Sequence, residues 1–223
     1  MPRPRALLLA CLLLALAGCG GDEPDPPADA PEDTGGEQVT GCEQAPRPSP
    51  KQVKLDRPTA RLNASRTYVA TVTTSCGAFE ITLDAERAPR TGASFKALAD
   101  RKFYDGLSFH RVSPGFVVQG GDPAGNGSGG PGYSIREAPP DSLTYDRGVV
   151  AMAKTEIEPA GTSGSQFFVV TAESTPLTPE YALVGTVTKG LDVVEKIGVV
   201  PVDDQEQPVE PVVIERIVVV ESR

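Results

Sequence analysis

Residues 109–133 read FHRVSPGFVVQGGDPAGNGSGGPGY, and the interpretation of the whole chain starts from this stretch. Short apolar runs at 108–112 and 116–121 flank a Ser-Pro-Gly turn, which predicts two neighbouring strands. Residues 125–130, GNGSGG, also have the G-x-G-x-x-G spacing of a dinucleotide-binding loop. Such a loop must open a helix, but Pro-Gly-Tyr and SIREAPP follow it here. We therefore predict that the chain binds no nucleotide.

Alternating and β-branched runs continue on both sides of this stretch. Further strands are predicted at 67–74, 78–84, 148–153, 165–172, 181–187 and 211–220. One helix is predicted to begin at Pro89 and end before Tyr104, and a second covers 191–197. About eight strands and two isolated helices, without βαβ alternation, predict a mainly β fold with a closed antiparallel barrel and helices over its ends.

The order and spacing of several motifs resemble those of the cyclophilin family of peptidyl-prolyl cis/trans isomerases. These motifs are FHRVSPGFVVQGGD, GNGSGGPGY, GTSGSQFFVVTA and PLTPEYALVGTV, and the resemblance extends from about residue 67 to 220. It implies a closed eight-stranded antiparallel β-barrel capped by two α-helices, and isomerase activity on proline-containing polypeptides. Rotation about an amide bond needs no nucleophile, so we expect neither a cofactor nor a metal.

The resemblance also assigns site residues to positions of this chain. The family's essential arginine corresponds to Arg111, its pocket phenylalanine to Phe116 and its glutamine to Gln119, which are the predicted catalytic residues. The predicted substrate-binding residues are Val117, Ala153, Lys154, Phe168, Leu177 and Tyr181. The chain departs from the family pattern at Lys154, where asparagine is usual, and at Tyr181, which is often histidine. It also has Pro176 where many members have tryptophan, so we expect weak cyclosporin binding.

Each of these residues also has a plainer interpretation. Arg111 could be a solvated surface charge, Phe116 and Phe168 could face the barrel interior, and Gln119 could only satisfy backbone groups. The single histidine, His110, invites a general-base role, but the reaction transfers no proton. We expect His110 to support the barrel or a loop.

The first 18 residues are predicted to be a lipoprotein signal peptide. Two arginines precede an apolar run that is too short to span a bilayer. The run ends in Leu16-Ala17-Gly18-Cys19, which resembles the bacterial lipobox, so Cys19 is the predicted lipidation site; an ordinary cleaved signal is the alternative. Residues 19–65 are predicted to form a disordered, acidic, proline-rich tether, and 66–223 the isomerase domain.

Charge and cysteine usage limit the remaining possibilities. A net charge of −9 argues against nucleic acid as a partner. Of the four cysteines, Cys11 is predicted to leave with the signal and Cys19 to be lipidated. Outside the cytoplasm the other two, Cys42 and Cys76, are predicted to form a disulfide, with two free thiols as the alternative. The chain has no C-x-x-C motif that would indicate a zinc or redox site.

The sequence thus predicts a monomeric prolyl isomerase that is lipid-anchored outside the cytoplasm, at a bacterial membrane, and acts on exported proteins. The alternative is a chaperone module that binds proline-containing segments without significant turnover. A solute-binding lipoprotein would share the anchor, but such proteins are built from βαβ units, which this chain does not show.

Overall fold

The computed structural model describes residues 41–223 of the chain. The predicted signal peptide, Cys19 and the first part of the tether lie outside the described residues. Within the described part of the chain, no helix has both the length and the apolar character needed to cross a membrane.

The described residues form ten strands and two helices. In chain order these are β1 (Thr67–Thr74), β2 (Gly77–Leu83), α1 (Pro89–Asp100), β3 (Leu107–Ser113), β4 (Val117–Gly120), β5 (Ile135–Arg136), β6 (Val149–Met152), β7 (Thr162–Ser163), β8 (Phe167–Val170), β9 (Leu183–Lys189), α2 (Leu191–Ile197) and β10 (Val212–Ser222). Eight strands close into a barrel in the order β1-β10-β3-β4-β8-β6-β9-β2. Every neighbouring pair in the barrel is antiparallel.

Alternating burial explains why these segments form barrel strands. In β1, Tyr68, Ala70 and Val72 are buried, while the residues between them are only partly buried. Inward-facing side chains of this kind fill a small barrel. In the buried core, the ring of Phe167 meets those of Phe95 of α1 and Phe109 of β3 at centroid distances of 5.5 and 6.0 Å. Edge-to-face contacts of this type add to the stabilisation from burial.

This architecture confirms the predicted fold class, a closed eight-stranded antiparallel barrel with two helices. All eight predicted strands are present, and α1 begins at Pro89 as predicted. The separate two-stranded sheet of β5 and β7 was not predicted. Its strands have two residues each, which is too short for any alternation to be recognised.

The part of the predicted tether that the structure describes, residues 41–65, differs from a disordered spacer. It contains no helix or strand, but Cys42, Val53 and Leu55 pack against the barrel core. Cys42 is joined to Cys76 in a disulfide, and Leu62 is buried. The backbone N–H groups of Lys51 and Leu55 donate to the carbonyl oxygens of residues 123 and 131. The disulfide, these hydrogen bonds and the burial of Leu62 offset the cost of ordering the segment.

Candidate functional site

A bulge in β3 places two predicted site residues opposite each other. Phe109 pairs with Gly120, and Arg111 pairs with Gln119, so His110 is an extra residue between the two pairs. A β-bulge of this kind redirects side chains and is common beside active sites. Arg111 Nη1 donates to Gln119 Oε1 at 3.5 Å, a long hydrogen bond.

The same row continues across the barrel wall. Gln119 of β4 pairs with Phe168 of β8, and Phe168 pairs with Ala151 of β6. Cross-strand neighbours on one face of a sheet lie within contact distance of each other. Four strands that are distant in sequence therefore present one continuous surface, on which Arg111, Gln119 and Phe168 stand side by side.

This surface contains a cavity of about 150 Å³, called here the Arg111 cavity. Its walls are formed by all nine residues that the sequence assigns to catalysis or substrate binding, and by no other described residue: Arg111, Phe116, Val117, Gln119, Ala153, Lys154, Phe168, Leu177 and Tyr181. The cavity thus combines apolar and aromatic walls with a guanidinium at one edge, which suits an apolar ring attached to a polar amide.

The two neighbouring phenylalanines of β8 belong to different clusters. Phe167 packs in the barrel interior, whereas Phe168 packs in a second cluster with Tyr145 and Leu183. Phe116 is partly buried and packs against that second cluster. Phe116 and Phe168 therefore do not face the barrel interior, and this plainer interpretation of the two side chains is wrong.

Tyr145 supports the cavity wall through two hydrogen bonds to the backbone of Tyr181. Its hydroxyl donates to the Tyr181 carbonyl at 2.6 Å and accepts from the Tyr181 N–H at 2.9 Å. The ring of Tyr181 stands edge-on to that of Phe168, with centroids 5.4 Å apart. Burial raises the pKa of Tyr145 to about 12, so the hydroxyl stays protonated. Sequence reasoning missed Tyr145, because nothing in a lone tyrosine signals that it contacts a segment 36 residues away.

Lys154 occupies the cavity wall with its ammonium paired. Its side chain is only 4% exposed, and Nζ lies 3.1 Å from Glu180 Oε2 and 5.4 Å from the centre of the Tyr181 ring. The cation therefore neutralises Glu180 and packs on an aromatic face. The neighbouring Ala153 donates its N–H to the Gln166 carbonyl at 2.8 Å, which fixes this edge of the cavity.

A larger cavity, of about 660 Å³, adjoins the Arg111 cavity. The two share Gln119, Ala153 and Lys154, and the larger one is lined by part of residues 121–132, called here the glycine-rich loop. Gln166, which sequence reasoning missed, connects them. Its side chain accepts from Gln119 Nε2 at 3.0 Å and donates to two carbonyl oxygens of the loop, at Gly127 and Gly129, both at 2.9 Å.

The glycine-rich loop is organised around the buried carboxylate of Asp122. Its oxygens accept backbone N–H groups from Ala124, Asn126 and Gly127 at 2.6–2.9 Å. A side chain at Gly129 would collide with Asp122. Three backbone donors of the loop are thus occupied by a carboxylate of the chain itself, and the loop leads to β5 and not to a helix.

Glu206 is the third missed residue. It lies in the loop between α2 and β10, and its Oε2 accepts from Arg111 Nε at 2.7 Å. The hydroxyl of Ser113 donates to its other oxygen at 2.6 Å. The Ser113 hydrogen bond is the main cause of a pKa of Glu206 below its usual value, and the Arg111 guanidinium adds to it.

His110 is buried behind Arg111, and neither ring nitrogen has a hydrogen-bond partner among the described residues. Burial is the main cause that lowers the pKa of His110, the positive charge of Arg111 acts in the same direction, and Asp122 opposes both. His110 does not line the Arg111 cavity. In residues 41–223, no cluster of three or more His, Cys, Asp or Glu residues has the arrangement of a metal site.

Comparison with known proteins agrees with this geometry. Residues 68–219 match the family described as "Cyclophilin type peptidyl-prolyl cis-trans isomerase/CLD". Peptidyl-prolyl cis-trans isomerase B of Bacillus subtilis is 46% identical over 114 residues, which cover 51% of this chain and 78% of that protein. Peptidyl-prolyl cis-trans isomerase A of Mycobacterium tuberculosis is 37% identical over 171 residues, which cover 69% of this chain and 92% of that protein.

Solved structures described as cyclophilin type have the same fold. A crystal structure of a cyclophilin type peptidyl-prolyl cis-trans isomerase of Cryptosporidium parvum superposes with a TM-score of 0.65 at 30% identity, over 70% of this chain and 99% of that one. A second crystal structure of that protein, in the presence of the dipeptide Ala-Pro, gives a TM-score of 0.64 at 31% identity. Sequence, fold and cavity agree: the chain belongs to the cyclophilin family and is a peptidyl-prolyl cis-trans isomerase.

Proposed function

We propose that this isomerase acts on exported proteins at the outer face of a bacterial membrane, to which a lipid on Cys19 anchors it. The observation that carries the proposal is the lipobox-like Leu16-Ala17-Gly18-Cys19 behind a basic, apolar start. The Cys42–Cys76 disulfide supports it, because disulfides persist in oxidising compartments and are rare in the cytoplasm. A diacylglyceryl group carries two acyl chains, which suffice for stable anchoring.

The composition of the Arg111 cavity supports separate roles for its apolar walls and its guanidinium in the reaction. The apolar walls at Phe116, Val117 and Phe168 hold the proline ring of the substrate, while the preceding part of the peptide rotates. The guanidinium of Arg111 stands at the edge of this apolar surface, where it donates to the prolyl amide nitrogen. Gln119 holds Arg111 from the neighbouring strand.

The chemistry of amide rotation explains why a donor is sufficient. Twisting an amide breaks its resonance, at a barrier of about 18–20 kcal/mol. In the twisted state the nitrogen regains a lone pair, which accepts a hydrogen bond that the planar amide nitrogen cannot accept. A donor fixed at that position stabilises the transition state more than the ground state. A rate gain of about 10⁵ requires about 7 kcal/mol, to which the donor and the oriented binding of the peptide both contribute.

The lipid anchor is tested by substitution at the two cysteines of the N-terminal region. Cys19→Ser removes the proposed acceptor, and Cys11→Ser is the matched control because Cys11 lies within the signal. We expect wild type and Cys11→Ser to fractionate with membranes and to carry a diacylglyceryl group by mass spectrometry, and Cys19→Ser to lack both. An unmodified wild-type protein in the soluble fraction would overturn the anchor.

The side of the membrane is tested with intact spheroplasts and a peptide that cannot enter them. The peptide carries one X–Pro bond, and its cis/trans exchange is measured by nuclear magnetic resonance. We expect spheroplasts that express wild type to accelerate exchange, and those that express Arg111→Ala to leave it at the uncatalysed rate. Acceleration that appears only after lysis would place the enzyme on the inner side and contradict the proposal.

A further inference from the structure

The guanidinium of Arg111 is held by a residue outside the set of nine that line the cavity. Arg111 Nε donates to Glu206 Oε2 at 2.7 Å, and Ser113 Oγ donates to Glu206 Oε1 at 2.6 Å. Arg111 and Ser113 are two residues apart on β3, so their side chains project from the same face of the strand. One carboxylate therefore bridges two side chains of the strand that carries the predicted catalytic arginine.

The backbone of Glu206 is fixed to the same strand. Its carbonyl accepts from the Val112 N–H at 2.7 Å, and its own N–H donates to the Asp203 carbonyl at 3.0 Å. The φ angle of Glu206 is 61°, a left-handed backbone conformation that residues other than glycine rarely adopt. Such strained residues cluster at functional sites, where the surroundings hold them in place. Glu206 therefore has an unfavourable backbone conformation at the position where its carboxylate contacts Arg111.

The contacts divide the donors of Arg111 into two groups. A guanidinium has five N–H donors in a rigid plane. Glu206 takes the one on Nε, and Gln119 takes one on Nη1. The other donors, on Nη1 and Nη2, have no partner within the described residues. Because the guanidinium is rigid, fixing its Nε side also fixes the direction of these donors.

The position of the pair argues against a mainly structural purpose. The side chains of Arg111 and Glu206 are 37% and 39% exposed. Ion pairs with this much exposure contribute little to folding stability, because water screens them. The orienting effect of Glu206 does not depend on that contribution. Ser113 fixes one oxygen of the carboxylate, and the other oxygen then restricts the rotamers of the long Arg111 side chain.

From this arrangement we propose that Glu206 is a positioning residue for Arg111, which orients the guanidinium so that its free donors point into the cavity. The inference rests on the isomerase activity and on the proposed role of Arg111, and it is independent of the lipid anchor. Loss of the carboxylate leaves the apolar walls that bind proline unchanged. It therefore lowers kcat, which depends on the oriented donor, and leaves KM nearly unchanged.

The test compares Glu206→Gln with Glu210→Gln, each made in the full chain. Glutamine keeps the size of Glu206 and removes its charge, and Glu210 is an exposed glutamate of the same loop. We expect kcat of Glu206→Gln to fall by about 10-fold, with KM within about twofold of wild type. Glu210→Gln should match wild type. A Glu206→Gln enzyme with wild-type kcat, or one whose KM alone rises, would overturn the inference.

A spectroscopic readout separates positioning from a loss of fold. The Nε–H resonance of Arg111 is assigned by its disappearance in Arg111→Ala. We expect it to exchange slowly with water in wild type and fast in Glu206→Gln, with equal melting temperatures. Should Glu206→Gln not fold, Ser113→Ala removes the second support of the carboxylate and should also speed this exchange. A fast-exchanging Nε–H in wild type contradicts the inference.

Measuring kcat and KM of Arg111→Ala as well separates the role of Glu206 from the role of Arg111 on which it depends. An Arg111→Ala enzyme as active as wild type would remove the proposed role of Arg111, and with it the role of Glu206. An inactive Arg111→Ala enzyme together with a fully active Glu206→Gln enzyme would reject only the positioning role of Glu206.

Discussion

Arg111 and Gln119 lie directly opposite each other on β3 and β4, with Arg111 Nη1 3.5 Å from Gln119 Oε1. They meet because the bulge at His110 shifts the register of β3 by one residue. The side-chain period of a strand is two, so without this shift Arg111 would project from the opposite face of the barrel wall. The buried His110 is therefore part of the geometry of the site, although it does not line the Arg111 cavity.

The first prediction concerns stability and pH. Because burial lowers the pKa of His110 from its usual 6.5, the unfolded chain takes up a proton near that pH before the folded chain does. The stability of the folded state is therefore greatest above pH 6.5 and falls as pH decreases, until the folded state is also protonated. His110 is the chain's single histidine, so His110→Gln should remove most of the decline between about pH 7.5 and 5.5.

Urea unfolding at several pH values measures this decline. We also expect kcat/KM of His110→Gln to remain within about threefold of wild type, since the reaction transfers no proton. A loss of several hundred-fold at unchanged stability would assign His110 a chemical role that this account does not give it.

The second prediction concerns the disulfide. Cys42 and Cys76 are 34 residues apart, and their link closes a loop that includes the segment 42–65. Replacing both with serine should lower the free energy of unfolding by about 2–4 kcal/mol, because the unfolded chain is no longer constrained. Neither cysteine lines the Arg111 cavity, so peptide isomerisation should be nearly unchanged. Equal urea midpoints for the double variant and wild type would contradict the assigned role of the link.

The third prediction concerns cyclosporin. Pro176 is exposed and does not line the Arg111 cavity, and it stands where the family often has tryptophan. A tryptophan at the centre of an interface contributes about 2 kcal/mol or more, which is about 30-fold in affinity. We expect inhibition only at about 1 µM cyclosporin or above. Pro176→Trp should strengthen it by at least about 10-fold, and tight nanomolar inhibition of the wild-type enzyme would show the prediction to be wrong.

The sequence predicted the barrel well because its evidence is local. Each strand carries its own alternation or β-branched run, and closure follows from the number of strands and the absence of βαβ units. The nine cavity residues were assigned from the resemblance, residue by residue. The structure brings all nine together, although they come from segments between residues 111 and 181.

The parts that the sequence did not predict depend on contacts between distant segments. Glu206 is 95 residues from Arg111, and its loop contains no motif that indicates where its carboxylate lies. Tyr145 and Gln166 likewise act through hydrogen bonds to other segments. The order of segment 41–65 also depends on its contacts with the barrel, whereas its composition alone is typical of a spacer.

The central claim is that Arg111 drives amide rotation in a cavity that binds proline. Exchange spectroscopy on a peptide with one X–Pro bond tests it most directly, with wild type, Arg111→Ala and the control Arg66→Ala. Among residues 41–223, the side chain of Arg66 forms an exposed ion pair with Glu221, 3.7 Å apart, and it does not line the cavity.

We expect wild type and Arg66→Ala to accelerate exchange equally. Arg111→Ala should lower kcat/KM by about 100-fold or more while the melting temperature changes little. A wild-type protein that binds the peptide without accelerating exchange, or an Arg111→Ala variant with wild-type activity, would contradict the account.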